Sequence, residues 1–413
     1  MSKLHLRLQR YKGSGQFGRR PTTPRDGIEP GALFPGEEKE LATPAGNCYV
    51  RELSYPLNYF HGPGPLSELL TLGGAAWGLP AKDKELQKIN PAGSLFVDIE
   101  TTGLGGGSGI WAFLIGAGWF ESSGFKLRQY FLRRLPEEKA MIHHFTQAAS
   151  PYISLVTFNG KTFDLPIIWN RQVLTGAPSL TEPPFHVDLL HCSRRLYAAR
   201  LGSCSLKSLE ESLLAIHRQG DIPGEEIPAV YFDYLRHGDT TRLKTVFEHN
   251  VIDVLSMVAL LCHIIKTAEQ TQVDHPADYL SLGKLYLGTG QLDMAIECFK
   301  NAIAAGGAPA VRGHWQLSLV YKQQQRWEEA VDEWEKIIDR RPNLISPYLE
   351  LAKFYEHRCR NLPVALDFTK AALVLANRRG YNRITGPQGI PALQHRKQRL
   401  LRKLGLSSGE STC

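Results

Sequence analysis

The chain of 413 residues is short of the features that mark several protein classes. Its seven cysteines, at 48, 192, 204, 262, 298, 359 and 413, are odd in number and scattered. None forms a C-x-x-C pair, so neither a disulfide framework nor a thiolate zinc site is indicated. The opening MSKLHLRLQRYKGSGQFGRR lacks the apolar core of a secretory signal. Apolar runs are short. The stretch Ile110 to Phe120, broken by Gly116 and Gly118, falls below the roughly 18–20 residues a membrane span needs. A reduced cytoplasmic protein without membrane association is the expectation. Hydrophobic residues at 43% and charged residues at 22% sit near the globular average, which excludes wholesale disorder. At roughly 150 residues per domain the length predicts two or three domains.

Net charge is +7. Its distribution says more than its size. Lys3, Arg7, Arg10, Lys12, Arg19, Arg20 and Arg25 precede the first acid, Asp26. Arg378, Arg379, Arg383, Arg396, Lys397, Arg399, Arg402 and Lys403 fall where no acid stands between Asp367 and Glu410. Either end could simply be solvated. Together they suit contact with nucleic acid, whose phosphates such cations neutralise.

Residues 1–45, rich in Gly, Pro and charge, read as a mostly disordered basic arm. Residues 46–90, interrupted by HGPGP and GLP, read as an extension packing on the next domain. Residues 91–270 carry strands first, then mixed strand and helix, which predicts an α/β domain with a mixed central sheet and flanking helices. Residues 275–380 contain a repeat. Leu282-Gly283, Tyr286, Ala295, Phe299 and Ala302 recur as Leu317-Ser318, Tyr321, Ala330, Trp334 and Ile337, and more loosely as Leu351-Ala352, Tyr355, Ala365 and Ala372. The pattern resembles tetratricopeptide repeats, whose small residues let paired helices approach closely. An insertion is expected near His357 to Asn361. Residues 381–413 read as a loop, a basic helix from about Ala392 to Leu404 and a polar tail.

Three stretches carry the chemistry. In LFVDIETTG, residues 95–103, Asp98 and Glu100 share one face of an apolar strand, because strand side chains alternate. Burying two like charges costs several kcal/mol unless a cation compensates. Oxygen-only ligands favour Mg²⁺ or Mn²⁺ over zinc. An edge strand with its acids in water is the plain alternative. In TFNGKTFDLP, residues 157–166, Asn159 and Asp164 stand where a strand yields to a helix. Asp164 suits metal ligation or a helix N-cap equally. In FEHNVIDVLSMVALL, residues 247–261, Phe247, Val251, Val254, Val258 and Leu261 form the core stripe, and His249 and Asp253 lie one turn apart on another face. That pair could supply a metal ligand and a general base, or be a surface pair.

Four converging acids suit two-metal phosphoryl hydrolysis. D-x-E-T-T, then N-x-x-x-x-D ending in F-D, then H-x-x-x-D resemble the three motifs of the DEDD exonuclease superfamily, which has the ribonuclease H-like fold. The resemblance implies a metal-dependent 3′→5′ exonuclease. Asp98, Glu100, Asp164 and Asp253 would be metal ligands for two Mg²⁺ or Mn²⁺ ions, and His249 the general base. The interval from His249 to Asp253 is the one that tyrosine-bearing members show, here with histidine. Asn159 to Asp164 has the spacing of family-B polymerase proofreading domains. A narrower resemblance, carried by ETTGLGGGSGIWAFLIGAGWF, GSCSLKSLE, DIPGEEIPAVYFDYLRHGD and HNVIDVLSMVALL, is to bacterial YprB-like proteins, predicted ribonuclease H-like exonucleases of which several end in tetratricopeptide repeats. It spans roughly residues 46–375.

Weaker candidates surround these. Thr101 and Thr102 follow the acids and could contact the terminal nucleotide, Asn159 the substrate, and Lys207 a phosphate. GLGGGSG, residues 103–109, lacks the G-K-[ST] ending of a P-loop and reads as a connection beside the site. Asp188 reads as a helix cap, Asn250 as exposed, and His186 and His191 as structural. The partner expected is a DNA or RNA 3′ end, with a possible protein partner on the repeats. Two alternatives keep the same motifs: a structure-selective endonuclease, or a non-catalytic scaffold binding nucleic acid or protein.

Overall fold

The computed structural model describes residues 33–74, 76–103, 109–178, 183–270, 272–378, 386 and 388–406. Most of the expected arm, most of the glycine-rich 103–109 segment and the polar tail lie outside the described residues. The chain forms two compact units that interleave in sequence. The first takes residues up to Thr71, Ala92–Asp188 and Leu214–Ala259; the second takes Leu72–Pro91, Leu189–Leu213 and Leu260 onward. Residues 72–91 and 189–213, expected to belong with the α/β domain, thus cluster with the helical unit.

The first unit is built on a seven-stranded mixed sheet. Its strands are β1 (Glu38–Thr43), β2 (Gly46–Tyr55), β5 (Leu95–Thr101), β6 (Ala112–Glu121), β7 (Gly124–Phe131), β8 (Ser154–Thr157) and β9 (Phe185–Asp188), in the order β1-β2-β7-β6-β5-β8-β9. A separate two-stranded hairpin joins β3 (Phe60–His61) to β4 (Gly64–Pro65). The arm expected over 1–45 is therefore ordered where β1 forms, and the extension over 46–90 contributes β2 to the main sheet. β1 pairs along its whole length with β2, and its Glu and Lys side chains suit an edge.

β5 is a central strand, antiparallel to β6 and parallel to β8. The edge-strand alternative for Asp98 and Glu100 is thereby excluded. Helix α1 (Glu138–Ala149) lies on the sheet face that carries Tyr130, which meets Phe145 edge-on. Helices α2 (Asp164–Thr175) and α3 (Ile227–His237) follow in sequence. Helix α4 (Leu243–Ala268) covers the other face. Phe247 on α4 meets Phe131 edge-on with ring centroids 5.0 Å apart. The glycines of β6 permit this approach: a Cβ on Gly118 would stand 2.7 Å from Val254 Cγ1. By length and composition α4 could cross a membrane, which corrects the expectation that no segment could. Most of it is buried inside the protein, as a core helix is.

The second unit is helical. Three antiparallel pairs follow one another: α5 (Pro276–Gly288) with α6 (Leu292–Ala304), α7 (Gly307–Gln323) with α8 (Trp327–Arg340), and α9 (Ile345–His357) with α10 (Leu362–Arg378). Ala295, Ala330 and Ala365 are fully buried at matching positions. A Cβ on Gly283 would stand 2.5 Å from the Phe299 ring, so only glycine lets α5 and α6 close. The expected insertion in the third pair amounts to one residue: its turn holds 358–361, against 289–291 and 324–326. α11 (Ile390–Lys403) docks last. Arg396, Arg399 and Lys403 all reach Glu356, whose side chain is fully buried. Three cations expected to seek phosphate are thus paired with an acid of the same chain.

Candidate active site

β5 and β8 run parallel, so their carboxyl ends open on the same side of the first unit. β5 delivers Asp98 and Glu100 there. The register slips between Glu100 and Thr101, and this bulge ends the pairing beside the acids. β8 turns sharply through Asn159, at φ +68°, and enters α2 at Asp164. Asp164 is the first helical residue, not the N-cap, and it caps nothing. Its carboxylate is buried, and Oδ2 has no hydrogen-bond partner. α4 supplies His249, Asn250 and Asp253 from above.

The acids converge electrostatically. Burial pushes the Asp98 carboxyl well above the ordinary range, and the charges of Asp253, Glu100 and Asp164 push it further. Burial does the same to Glu100, reinforced by Asp253, Asp164 and Asp221 and opposed by Arg218. Asp164 is raised by burial, then by Asp188 and Asp253. Three carboxyls drawn from β5 and α2 therefore feel one another and Asp253. Such a cluster favours a bound cation. Among the described residues no three carboxylate, imidazole or thiol side chains are already closed around a single ion position.

His249 is held by a residue the motifs do not contain. Its Nδ1 lies 2.6 Å from Asp221 Oδ1. Its Nε2 faces Asp253 Oδ2 at 3.7 Å and Glu100 Oε1 at 4.0 Å. Arg218, with only 4% of its side chain exposed, donates to Asp253 and, at 3.3 Å, to Asp221. The loop leading into α3 thus returns a cation and a fifth acid to the cluster. Their only sequence signal was the peculiar DIPGEEIP stretch, which begins at Asp221.

Asn250 is fully buried, which corrects the expectation of exposure. Its Nδ2 donates to Asp98 Oδ2 at 2.9 Å, and its Oδ1 accepts from Gln129 Nε2 at 2.8 Å. Gln129 also donates to the Phe247 carbonyl at 2.8 Å. Asp98 is therefore clamped through β7 and α4. Gly116, the register partner of Asp98, leaves room for the clamp, since a Cβ there would stand 2.9 Å from Asn250 Cγ.

The weaker candidates fall variously. The Thr101 hydroxyl donates to the Gly103 carbonyl at 2.8 Å, and the Thr102 hydroxyl accepts from Trp111 N at 3.0 Å. Both brace the bend after β5. Asn159 Oδ1 accepts from the Thr162 hydroxyl within its own turn. Asp188 holds that turn: it accepts from Asn159 N at 2.9 Å and Lys161 N at 3.2 Å. Thr157 Oγ1 lies 2.8 Å from His186 Nε2. Lys207 is exposed and belongs to the second unit.

A mixed sheet flanked by helices, with acids at the carboxyl ends of its parallel strands, defines a ribonuclease H-like domain followed by tetratricopeptide repeats. The RNase_H superfamily model matches residues 95–265, and the tetratricopeptide repeat model matches residues 279–305. The chain is 34% identical over 339 residues to "Uncharacterized protein YprB" of Bacillus subtilis (strain 168), covering 79% of this chain and 80% of that protein. It belongs to the YprB family. Among solved structures, a crystal structure of MamA aligns at 18% identity over 40% of this chain and 99% of its own, with a TM-score of 0.26, too loose to define a shared fold. The superfamily domain supports nucleic-acid hydrolysis in general.

Proposed function

We propose that the acid cluster hydrolyses DNA or RNA from the 3′ end as a metal-dependent exonuclease. One observation carries this reading: Asp98, Glu100 and Asp253, half-buried, converge with the buried Asp164, whose Oδ2 has no partner. These oxygen donors fit Mg²⁺ or Mn²⁺, and the four acids would hold two such ions. Bound there, the ions supply the positive charge that activates water and offsets negative charge developing on the phosphate.

The chain's own groups do the rest. A proton on His249 Nδ1 donated to Asp221 leaves Nε2 as the basic nitrogen, turned toward Asp253 and Glu100. Water attacks the terminal phosphorus, and its proton passes to His249 Nε2. The bond from phosphorus to the 3′ oxygen of the preceding nucleotide breaks. The products are a nucleoside 5′-monophosphate and a chain shortened by one, with a free 3′ hydroxyl. Asn250 and Gln129 hold Asp98 in place. The repeats dock a protein or RNA partner, and the basic N-terminal segment adds phosphate affinity.

The test uses 5′-labelled single-stranded RNA and DNA with Mg²⁺, Mn²⁺ or EDTA, beside Asp98→Ala. A ladder shortening from the 3′ end, lost in EDTA and in the variant, is expected. Cleavage of a circular substrate would replace the exonuclease with an endonuclease. No cleavage of linear or circular forms by folded, metal-supplied protein would overturn the catalytic reading.

A further inference from the structure

The β3–β4 hairpin takes no part in the main sheet and precedes the matched superfamily segment. It is nonetheless fixed beside the acids. His61 Nε2 lies 2.9 Å from Ser256 Oγ. Ser256 is on α4 seven residues after His249 and three after Asp253, so all three share one helical stripe. Ser256 stands about 4.5 Å of helical rise beyond Asp253. The turn of the hairpin is also seated. Gly62 has φ +75°, and a Cβ there would stand 2.9 Å from the Leu214 carbonyl and 3.2 Å from Ile216. That segment leads directly to Arg218. The hairpin therefore flanks the site against both α4 and the strap that carries Arg218 and Asp221.

Its open end, opposite the seated turn, is aromatic. Phe60 is 65% exposed and Tyr59 37%. The other strongly exposed large apolar side chains among the described residues are aliphatic. Tyr59 is braced by Tyr55, with ring centroids 4.7 Å apart. Phe60 and the outer part of Tyr59 are left uncovered on an anchored hairpin. Flat faces beside a phosphodiester site suit unstacked bases, whose stacking on aromatic rings tolerates any sequence. A duplex end offers no free base faces along its strand, whereas a single strand does.

We propose that Tyr59 and Phe60 form a stacking platform that receives the bases of a single-stranded 3′ end as it enters the acid cluster. The assignment of a single-stranded substrate rests on the nuclease reading above; the platform itself is tested by binding alone. The full chain is titrated into a short 5′-fluorescein oligoadenylate, in ribo and deoxy forms, with EDTA and with Ca²⁺, and into a blunt duplex of the same sequence. Stacking of about 1–3 kcal/mol per base predicts roughly 5- to 150-fold weaker single-strand binding in Phe60→Ala, and a larger loss in Tyr59→Ala/Phe60→Ala. Phe60→Trp keeps the affinity, and duplex binding is unchanged by all three. Phe60 is largely exposed, so Phe60→Ala and Phe60→Trp retain the wild-type melting temperature. In turnover, Phe60→Ala raises KM and leaves kcat at saturation unaltered. Equal single-strand affinity in wild type and the double variant overturns the platform, even if cleavage is robust. Absent cleavage with Phe60-dependent binding overturns the nuclease and retains the platform. Failure of the wild type to bind single strands overturns both.

Discussion

Gly116→Ala tests how the sheet holds Asp98. Gly116 pairs with Asp98 across β5 and β6. An added Cβ would stand 2.9 Å from Asn250 Cγ and Nδ2, and closer still to Oδ1. Asn250 is fully buried and tied to Gln129, so its amide cannot swing into solvent. It must rotate off Asp98 or push α4 outward. Overpacking of this kind costs about 1–3 kcal/mol. A buried polar group left unpaired adds about 1–3 kcal/mol. Together these predict a loss of about 2–6 kcal/mol, read by urea denaturation of the metal-free chain. Gly93→Ala, where a Cβ meets nothing within 4 Å, is the control and stays near wild type. The coupling is testable by a cycle. Asn250→Ala removes the group the methyl strikes, so Gly116→Ala/Asn250→Ala is no less stable than Asn250→Ala alone. Wild-type stability in Gly116→Ala, or simple additivity in the double variant, would refute the clamp.

Further outcomes follow from the charges. In metal-free protein, Asp98, Glu100 and Asp164 hold protons above the ordinary carboxylate range of about 4. The folded state then binds more protons than the unfolded state above that range, so stability falls as pH rises through the raised values. With EDTA, the melting temperature should decline as pH rises above the ordinary carboxylate range, and less so in Asp98→Asn; a rise there contradicts the mutual repulsion of the cluster. Arg218→Gln withdraws the cation shared by Asp253 and Asp221. Its metal-free form melts lower than wild type, and Mn²⁺ raises its melting temperature by a larger increment; equal increments in both would show that Arg218 does not balance the cluster. Glu356→Gln leaves Arg396, Arg399 and Lys403 crowded without their acid. Hydrogen exchange should quicken over 390–403 and not over α5 and α6, whereas unchanged protection would show that apolar contacts alone hold α11.

What was legible in the sequence depended on local periodicity. The alternation in LFVDIET placed Asp98 and Glu100 on one face, and β5 forms there. The recurring alanines announced the helix pairs, because each repeat must present a small residue where helices cross. β2 was not recognised because GNCYVRELSY mixes charge with apolar residues, yet Arg51 within it is buried against Phe34, Glu37 and Glu248. Arg218 and Asp221 were missed for a different reason. Their loop has no period, and Asp221 is 28 residues from the His249 it holds. Asn250 is adjacent to His249 but turned about 100° round the helix, toward the sheet. The paired glycines of β6 were the available clue, since an apolar strand keeps glycine where another backbone approaches. The interleaving of the two units has no local signature at all.

The central claim is that the carboxylates are assembled for divalent cations. Calorimetric titration of Mn²⁺ into the EDTA-stripped chain, in two buffers of different ionisation enthalpy, tests it most directly. Saturable binding accompanied by proton release is predicted, because the raised carboxyls must give up protons to become ligands. Binding should be lost in both Asp98→Asn and Asp164→Asn. Absence of saturable binding by the folded chain, or binding indifferent to both substitutions, would contradict the account.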